Sequence, residues 1–451
     1  MSFIQEYYNF IETFNTLFDE INLANILYYF YNGTHINFIC SCPREIHTEC
    51  FTNMYKYKVN YKRKTFHTRN SITYNKCNML KITSLEIYNY INLNTISDIY
   101  LFDKLTYLNC STLNLSYNDI LPVKNIKNLQ ILNIHNNNIS NIDFCKDLIN
   151  LTHLDCSFNV IHDISSLELC TNLTTLECNN CSIGSIQKIP NTLQTLICSN
   201  NYIKHFTSIL PNLKKLDCTS NYIQNIYNIK YSPMIETFIC DDNFISELDG
   251  IEELNNLKVF FCNNNYIQTL INLPPNIKEL DCSNNHLKEL NKNNMTKINC
   301  SNNNIHNIEI LETNTNLMYL DCNNNKITSL KGLQNCNNLQ ALKCSHNQIK
   351  SLEHLEFTDL EIIDCSFNVI TSLVEICYLN TLKILICNNN DITSINTLKH
   401  LSNLKQLDCY KNNIISLDGL QNIKTLKSLC ISDNMLNYQE NKNILESMNF
   451  H

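Results

Sequence analysis

Residues 339–349 read Leu-Gln-Ala-Leu-Lys-Cys-Ser-His-Asn-Gln-Ile, and this stretch decides the fold because its pattern recurs along most of the chain. The pattern is Leu-x-x-Leu-x-Cys-x-x-Asn-x-Ile, and residues 404–414 repeat it in full. Its Asn position, called the ladder position below, recurs sixteen times at spacings of 18 to 22 residues, and Cys181 alone departs from Asn. The ladder positions are residues 118, 137, 159, 181, 201, 221, 243, 265, 285, 303, 325, 347, 368, 390, 412 and 434.

This periodicity predicts a solenoid. Alternation of the kind Leu-x-Cys is typical of a short β-strand. The turn that follows leaves backbone groups that an inward Asn amide can satisfy as both donor and acceptor. One such unit cannot bury its own apolar side, so neighbouring units must stack and share a core. With strands about 4.8 Å apart, sixteen rungs would span roughly 75 Å.

The repeats resemble those of leucine-rich repeat proteins over about 330 of the 451 residues. The 22-residue copies, such as the one containing residues 325–333, are similar to the subclass of the protein phosphatase 1 regulatory subunit and the bacterial internalins. The 20-residue copies, such as the one containing residues 273–280, are similar to repeats of secreted bacterial effectors. The resemblance implies an α/β-type solenoid, an arc with a parallel β-sheet on its concave face and short 3-10 or irregular segments on its convex face.

Three regions are expected. Residues 1–100 form an N-terminal, cysteine-containing cap, because apolar residues between positions 3 and 30 recur at a helical spacing; degenerate repeats are expected from residue 80. Residues 101–436 form the repeat domain, and residues 437–451 suit a short C-terminal capping helix. Residues 55–69 interleave aromatic residues with six cations, which favours a solvated edge strand, with nucleic-acid binding as the alternative.

The cysteines fall into a regular pattern. Thirteen of the 24 occupy the inward strand position, where Leu115, Ile134 and Ile431 stand in the flanking units. We interpret them as a column of small buried apolar groups, since free Cys is among the most buried residue types. The thirteen are Cys156, Cys178, Cys198, Cys218, Cys240, Cys262, Cys282, Cys300, Cys322, Cys344, Cys365, Cys387 and Cys409. Unpaired thiols in such a column favour a reducing compartment over secretion.

Four other potential metal ligands lie close together, namely Cys40, Cys42, His47 and Cys50. The first pair is Cys-x-Cys, whereas structural zinc sites use Cys pairs separated by at least two residues. Zinc binding is therefore the weaker interpretation, and reduced thiols without a metal the stronger one.

Composition excludes several enzyme classes. The five glycines lie at least 66 positions apart, so no P-loop, dinucleotide fingerprint or nucleophile elbow can be built. The acidic N-terminus does not resemble a secretory signal, and no apolar run is long enough to cross a membrane. We therefore predict a cytoplasmic protein with no membrane contact, no catalytic residues and no cofactor.

The solvent-facing strand position before the ladder cysteine is predominantly acidic. Seven of its sixteen residues are acidic and one is basic, and the net charge of the whole chain is −8. The acidic positions are Asp155, Glu177, Asp217, Asp281, Asp321, Asp364 and Asp408. An acidic face argues against nucleic acid, whose phosphates need cations, and fits a partner protein with a basic surface. The alternative is a solvated face with no partner.

Aromatic and apolar residues interrupt this acidic row. In four consecutive units the residue after the ladder position is aromatic, and apolar strand residues accompany it. The set is Tyr202, Tyr222, Phe244 and Tyr266 with Ile197, Ile239, Val259 and Phe261. Stacked on adjacent strands they would form an exposed apolar patch of the kind that marks binding sites. The alternative is that some rings lie along the turns and pack within the molecule.

These features predict a non-enzymatic scaffold that binds a protein partner on its concave face. The alternative is a substrate-recognition adaptor of a ubiquitin ligase, with residues 1–100 docking the ligase core. The AT-rich codon bias and the Cys-containing repeats resemble leucine-rich repeat proteins of large cytoplasmic DNA viruses, in which case the partner would be a host protein; amoebal protists are the alternative source.

Overall fold

The computed structural model describes residues 25–30, 34–40, 82–89, 99, 102–437, 439, 441, 444 and 446. The chain forms two compact units, residues 1–202 and residues 203–451. The predicted helix over residues 3–24, the basic stretch 55–69 and the potential ligands Cys42, His47 and Cys50 lie outside the described residues.

The first unit begins with an antiparallel hairpin and continues as a parallel sheet. β1 pairs antiparallel with β2, and β2 pairs antiparallel with β3. Strands β3 to β8 then pair in parallel. The strands are β1 Asn25–Phe30, β2 Thr34–Cys40, β3 Ile82–Asn89, β4 Tyr107–Asn109, β5 Ile131–Asn133, β6 His153–Asp155, β7 Thr175–Glu177 and β8 Thr195–Ile197.

The prediction of helix was wrong for residues 25–30, which form β1. Their sequence Asn-Ile-Leu-Tyr-Tyr-Phe is rich in aromatic and branched side chains, and such residues fit a pleated surface better than a helix. Further along, Ser84 of β3 lies beside Tyr107 of β4, an offset of about one repeat. The backbone around residue 85 thus continues the repeat geometry ahead of the first clear copy of the pattern.

The first repeat begins earlier than predicted. The pattern placed a strand at residues 113–115 with Leu115 inward, but the strand is β4, and Cys110 follows it in the inward position. Asn118 was assigned a ladder role, yet it is exposed in the short helix α1, Tyr117–Ile120. Leu115 is buried after the turn, where its N–H donates to Asn137 Oδ1 at 2.9 Å. Cys110 is therefore a fourteenth ladder cysteine.

The second unit is a parallel sheet of eleven strands, β9 to β19, among the described residues. The strands are β9 Lys215–Asp217, β10 Thr237–Ile239, β11 Val259–Phe261, β12 Glu279–Asp281, β13 Lys297–Asn299, β14 Tyr319–Asp321, β15 Ala341–Lys343, β16 Ile362–Asp364, β17 Ile384–Ile386, β18 Gln406–Asp408 and β19 Ser428–Cys430.

Short 3-10 segments occupy the return part of many repeats, as predicted. In the first unit they are Leu121–Asn125, Asp143–Asp147 and Ser165–Leu169. In the second they are Tyr227–Tyr231, Ile251–Glu253, Glu309–Thr313, Val374–Ile376, Asn396–His400 and Leu420–Asn422. The parallel sheet and these segments confirm the predicted solenoid fold.

The core lies between the sheet and the return segments. The central residue of each strand from β4 to β18 is buried, while the first residue stays at least partly exposed. All fourteen ladder cysteines are buried and none is in a disulfide. Burial raises the pKa of the Cys110 and Cys409 thiols to about 12, because a thiolate would lose its hydration there. The column is a set of neutral thiols.

The ladder asparagines from Asn137 to Asn434 each tie two repeats together, and Asn265 is typical. Its Nδ2 donates to the carbonyls of Cys262 at 3.2 Å and of Cys240, in the preceding repeat, at 3.0 Å. Its Oδ1 accepts the Ile245 N–H at 2.9 Å. The amide satisfies buried backbone groups on both sides of the turn, as predicted from its donor and acceptor capacity.

The C-terminal segment contacts the last repeats through Asn441. The backbone is helical at residues 439, 441, 444 and 446. Asn441 is buried, and its Oδ1 accepts the Leu417 N–H at 2.8 Å. This contact gives the segment a fixed attachment to the repeat that contains Leu417.

Candidate partner-binding surfaces

The predicted acidic residues lie at the last position of their strands. Six of them, all aspartates, also form a hydrogen bond that stabilises the turn after the strand. The Oδ1 atom of each aspartate accepts the backbone N–H two residues later. These bonds are Ser157 N to Asp155 at 3.0 Å, Thr219 N to Asp217 at 3.1 Å, Ser283 N to Asp281 at 3.0 Å, Asn323 N to Asp321 at 3.2 Å, Ser366 N to Asp364 at 3.1 Å and Tyr410 N to Asp408 at 3.1 Å. Such turns are a common use of Asp and Asn. The acidic row therefore has a structural role that the charge pattern did not reveal.

Repeats with Asn at this position use its own Oδ1, as Asn299 does for the Ser301 N–H, and some repeats with neither residue obtain the acceptor from the preceding repeat. After Ile197, the Ser199 N–H donates to Asn179 Oδ1 at 2.9 Å. After Phe261, the Asn263 N–H donates to Asp241 Oδ1 at 2.8 Å. Because Asn and Asp serve equally, the turn requires the side-chain oxygen and not its charge. Glu177 ends β7 and is half-buried.

Four neighbouring strands of the second unit place an apolar pair between carboxylates. The register sets Asp217 of β9 beside Ile239 of β10, Ile239 beside Phe261 of β11, and Phe261 beside Asp281 of β12. All four side chains are half-buried. Val259, two residues before Phe261 on β11, is also half-buried and is paired with Thr237 of β10. With Asp241, which follows Cys240, these four residues are called the sheet-face site.

Asp241 gives the sheet-face site an unusual electrostatic property. Burial raises the pKa of its carboxyl to about 7, and repulsion from Asp281, Asp242 and Asp217 adds to the rise. The hydrogen bond from the Asn263 N–H opposes that rise and does not cancel it. Crowded carboxylates beside an apolar pair would gain from a cation, which lowers the cost of ionising Asp241.

In the second unit, lysines lie near the first residue of the strands, opposite the end that carries the aspartates. The acidic pattern in the sequence did not predict these lysines. Lys258 pairs with Glu236 at 2.6 Å, Lys297 with Glu279 at 2.9 Å and Lys383 with Glu361 at 2.7 Å. Further exposed lysines at this edge are Lys214, Lys215, Lys278, Lys405 and Lys427. The sheet thus has a lysine-rich edge where strands begin and a carboxylate-rich edge where they end.

The four predicted aromatic residues that follow the ladder position lie beyond the turns, not on the strands. Tyr222 and Phe244 stack with ring centroids 5.8 Å apart, Phe244 and Tyr266 at 6.0 Å, and Tyr266 contacts His286 at 5.8 Å. Their backbone N–H groups bond to carbonyls of the preceding repeat, as Tyr266 does to Ile245 at 2.8 Å. The three aromatic side chains remain 43–48% exposed. They form a row in the second unit, whereas Tyr202 and Ile197 belong to the first unit.

Neither a metal centre nor a membrane-spanning segment is found in the described part of the chain. No cluster of three or more His, Cys, Asp or Glu side chains there could hold a metal ion. Cys40, the first of the potential zinc ligands, is the last residue of β2. None of the helices in the described ranges is long and apolar enough to cross a bilayer.

Comparisons with known proteins agree with this architecture. A family model described as Leucine Rich repeats (2 copies) matches residues 127–169 and 149–191. No curated protein matches the sequence. The functional domain of InlJ from Listeria monocytogenes, which includes a cysteine ladder, is similar with a TM-score of 0.65 and 24% identity over 73% of this chain and 74% of that one.

Two further solved structures are similar at lower identity. YopM from Yersinia enterocolitica has a TM-score of 0.55 and 18% identity, covering 86% of this chain and 96% of its own. The plant peptide hormone receptor RGFR1, in complex with RGF2, has a TM-score of 0.50 and 17% identity, covering 76% and 73%. At these identities the likeness establishes the fold, and the binding surface must be argued from this chain's own residues.

Proposed function

We propose that this leucine-rich repeat protein is a non-enzymatic scaffold whose sheet-face site binds a basic segment of a partner protein. The observation that carries the proposal is the half-buried pair Ile239 and Phe261 between Asp217 and Asp281, with the Asp241 carboxyl held near pKa 7 by burial and by its acidic neighbours. A Lys or Arg side chain with an apolar neighbour matches this combination in both charge and polarity.

The fold supports a binding role without naming the partner. Repeat solenoids present extended surfaces on which several strands contribute to one site. The similar receptor RGFR1 is known in complex with RGF2, so the fold is compatible with holding a peptide. The finer proposal is that the partner is a host protein met in the cytoplasm, supported by the free buried thiols, which suit a reducing compartment, and by the virus-like composition. The ubiquitin-ligase adaptor stays a prediction, because most of residues 1–100 lies outside the described residues.

Charge removal at the sheet-face site should abolish binding while leaving the fold intact. The change is Asp217→Asn, Asp241→Asn and Asp281→Asn together, which keeps each Oδ1 acceptor for its turn. Peptides selected by the unchanged protein from a random twelve-residue library should be enriched in Lys or Arg beside apolar residues. Their affinity for the triple variant should fall at least about tenfold, equivalent to losing about 1.4 kcal/mol of charge-assisted contacts.

The matched control is Asp364→Asn with Asp408→Asn. These residues make the same turn bonds, both at 3.1 Å, on strands β16 and β18, outside the sheet-face site. The control should retain peptide affinity, and circular-dichroism melts of both variants should match the unchanged protein. Equal peptide affinity for the triple variant and the unchanged protein would rule out the sheet-face site.

Binding at the sheet-face site should also depend on pH because of Asp241. Its raised pKa of about 7 means that the carboxyl is largely protonated at pH 6 and largely ionised at pH 8. A cationic segment prefers the ionised form, so affinity should rise from pH 6 to pH 8, with about one proton released per complex formed near pH 6. Calorimetry in two buffers of different ionisation enthalpy measures that release. Asp241→Asn should flatten the pH profile, and a profile as steep as that of the unchanged protein would contradict the assignment.

A further inference from the structure

Two aromatic side chains on the return side of the second unit are far more exposed than the others. Phe357 and Tyr378 are each 76% exposed, the highest value among the exposed large hydrophobic residues of the described chain. Each lies ten residues after its ladder asparagine, Asn347 or Asn368, so they hold equivalent positions in consecutive repeats. Exposed aromatic groups that recur side by side are typical of an interaction surface.

The backbone around both rings is fixed by hydrogen bonds. Thr358 is buried, and its N–H and hydroxyl both donate to the Leu355 carbonyl, at 3.1 and 2.8 Å. Leu379, next to Tyr378, is buried as well. The Thr381 hydroxyl donates to the Leu360 carbonyl at 2.8 Å and joins the two repeats three residues beyond each ring. Phe357 and Tyr378 are therefore held at the surface by ordered turns with buried neighbours.

Three carboxylates lie within four residues of Phe357 in the sequence. Glu353, Glu356 and Asp359 are all exposed. None of the three forms an ion pair with another described residue. The negative charge thus lies on the Phe357 side of the pair, whereas the repeat after Tyr378 carries the exposed cations Lys399 and His400 at the equivalent positions. Unpaired carboxylates beside an exposed ring attract a positively charged ligand.

Another repeat of the same unit carries its own cation at the equivalent position. Tyr231 also lies ten residues after a ladder asparagine, Asn221. The residue before it is Lys230, whose Nζ lies 3.5 Å from the Tyr227 ring centroid and 5.2 Å from that of Tyr231. An ammonium over aromatic faces in this way is a cation–π contact.

The repeats with Phe357 and Tyr378 lack that internal cation. The residue equivalent to Lys230 is Glu356 in one repeat and Cys377 in the other. No cation–π contact between described residues involves either Phe357 or Tyr378. At equivalent positions, one repeat therefore has Lys230 before Tyr231, whereas another has Glu356 before Phe357.

We propose that Phe357 and Tyr378, with Glu353, Glu356 and Asp359, form a second docking surface, which binds an arginine-bearing segment of a protein partner. The guanidinium of such a segment stacks on the rings, as the Lys230 ammonium does within the protein on Tyr227 and Tyr231. The carboxylates balance the charge of the guanidinium. This surface is independent of the sheet-face site, and together the two would let the protein hold two basic segments at once.

The test uses the full chain carrying Asp217→Asn, Asp241→Asn and Asp281→Asn, so that the sheet-face site does not contribute. The probe is a fluorescein-labelled Arg-Gly-Arg-Gly-Arg peptide, followed by fluorescence anisotropy at low ionic strength, with a citrulline counterpart that keeps the shape but removes the charge. The arginine peptide should bind at least tenfold more tightly than the citrulline peptide. Adding Phe357→Ser with Tyr378→Ser should weaken it at least tenfold.

Two further variants separate the rings from the general charge. Tyr227→Ser with Tyr231→Ser removes the aromatic pair that already has its cation and should leave peptide affinity unchanged. Glu356→Gln with Asp359→Asn should lower both the affinity and its salt dependence. Equal binding of the arginine and citrulline peptides, or unchanged affinity after loss of Phe357 and Tyr378, would overturn the proposal. Either result leaves the sheet-face proposal untouched, because that proposal is tested by different residues.

Discussion

Asn265→Ala should lower the free energy of unfolding by about 3–5 kcal/mol, because it leaves several buried backbone groups without partners at about 1–3 kcal/mol each. The side chain is 5% exposed and makes four hydrogen bonds. Its Nδ2 donates to the carbonyls of Cys240, Cys262 and Asn263, and its Oδ1 accepts the Ile245 N–H.

The measurement is urea unfolding followed by circular dichroism, together with hydrogen exchange of the affected repeats, because repeat arrays do not always unfold in one step. Asn264→Ala is the matched control. Asn264 is exposed and has a left-handed backbone with φ of 51°, so its replacement should cost about 1–2 kcal/mol of backbone strain. If Asn265→Ala proves no more costly than Asn264→Ala, the ladder amide does not have the assigned role.

The chain contains one natural exception, Cys181, at a ladder position. Its Sγ donates to the Cys156 carbonyl at 3.2 Å and to the Asn179 carbonyl at 3.4 Å, two of the acceptors that an amide would use. The pKa of this thiol is lowered, chiefly by a hydrogen bond with the Cys156 thiol and also by the N–H groups of Asn159 and Ile161. The thiol thus supplies the donor half of the amide's role in this repeat.

The fold followed from the sequence because the ladder period is physically demanding. A buried turn needs a donor and an acceptor at one fixed place, so Asn recurs there in every repeat of the pattern except those of Leu113 and Cys181. The true first repeat has Leu105, Leu108 and Cys110 in the pattern, but its ladder position is Leu113 instead of Asn. Leu113 and Leu115 also resemble the inward strand pair of a repeat, so the sequence predicted the first strand too late.

The acidic row was visible in the sequence, but its cause was not. The number of acidic residues alone does not show whether they bind a partner or stabilise the turn, because one Asp carboxylate can do both. The recurring order Asp-Cys-Ser at residues 155–157, 281–283 and 364–366 was the available signal, since Asp two residues before a turn N–H is a known turn former. The lysine-rich edge is not visible at the position before the ladder cysteine, because its lysines stand at and before the first strand position.

Asparagine also recurs at a second position of the repeat, directly before the ladder position. The residue before each ladder position from 137 to 434 has a positive φ. Asn and Asp adopt that left-handed conformation more readily than other residues with a side chain. Eight of these fifteen positions are Asn and two are Asp. Asn thus serves in two separate structural columns, the ladder position and the left-handed position before it.

Gly332→Ala should be the most damaging small substitution in the return segments, with a loss of about 2–5 kcal/mol from left-handed strain and overpacking combined. Gly332 has φ of 113°, and a Cβ there would overlap the Ile308 carbonyl oxygen and lie 2.9 Å from the Glu309 Cα, both backbone atoms of the preceding repeat. Because backbone cannot move aside as a flexible side chain can, the two repeats would have to separate.

Gly250 and Gly419 share the same repeat position and also have positive φ, while Lys188, Asn272 and His354 adopt positive φ at that position in other repeats. Close approach of the preceding backbone therefore distinguishes the glycine repeats. Gly184 provides the control, since a Cβ added to it meets nothing within 4 Å and its backbone is not left-handed. Gly184→Ala should leave stability unchanged or raise it by about 0.4–1 kcal/mol, because Ala restricts the unfolded chain. The comparison of urea midpoints decides the matter: if the Gly332 and Gly184 variants unfold at the same urea concentration, close approach of neighbouring repeats does not explain the glycine at this position.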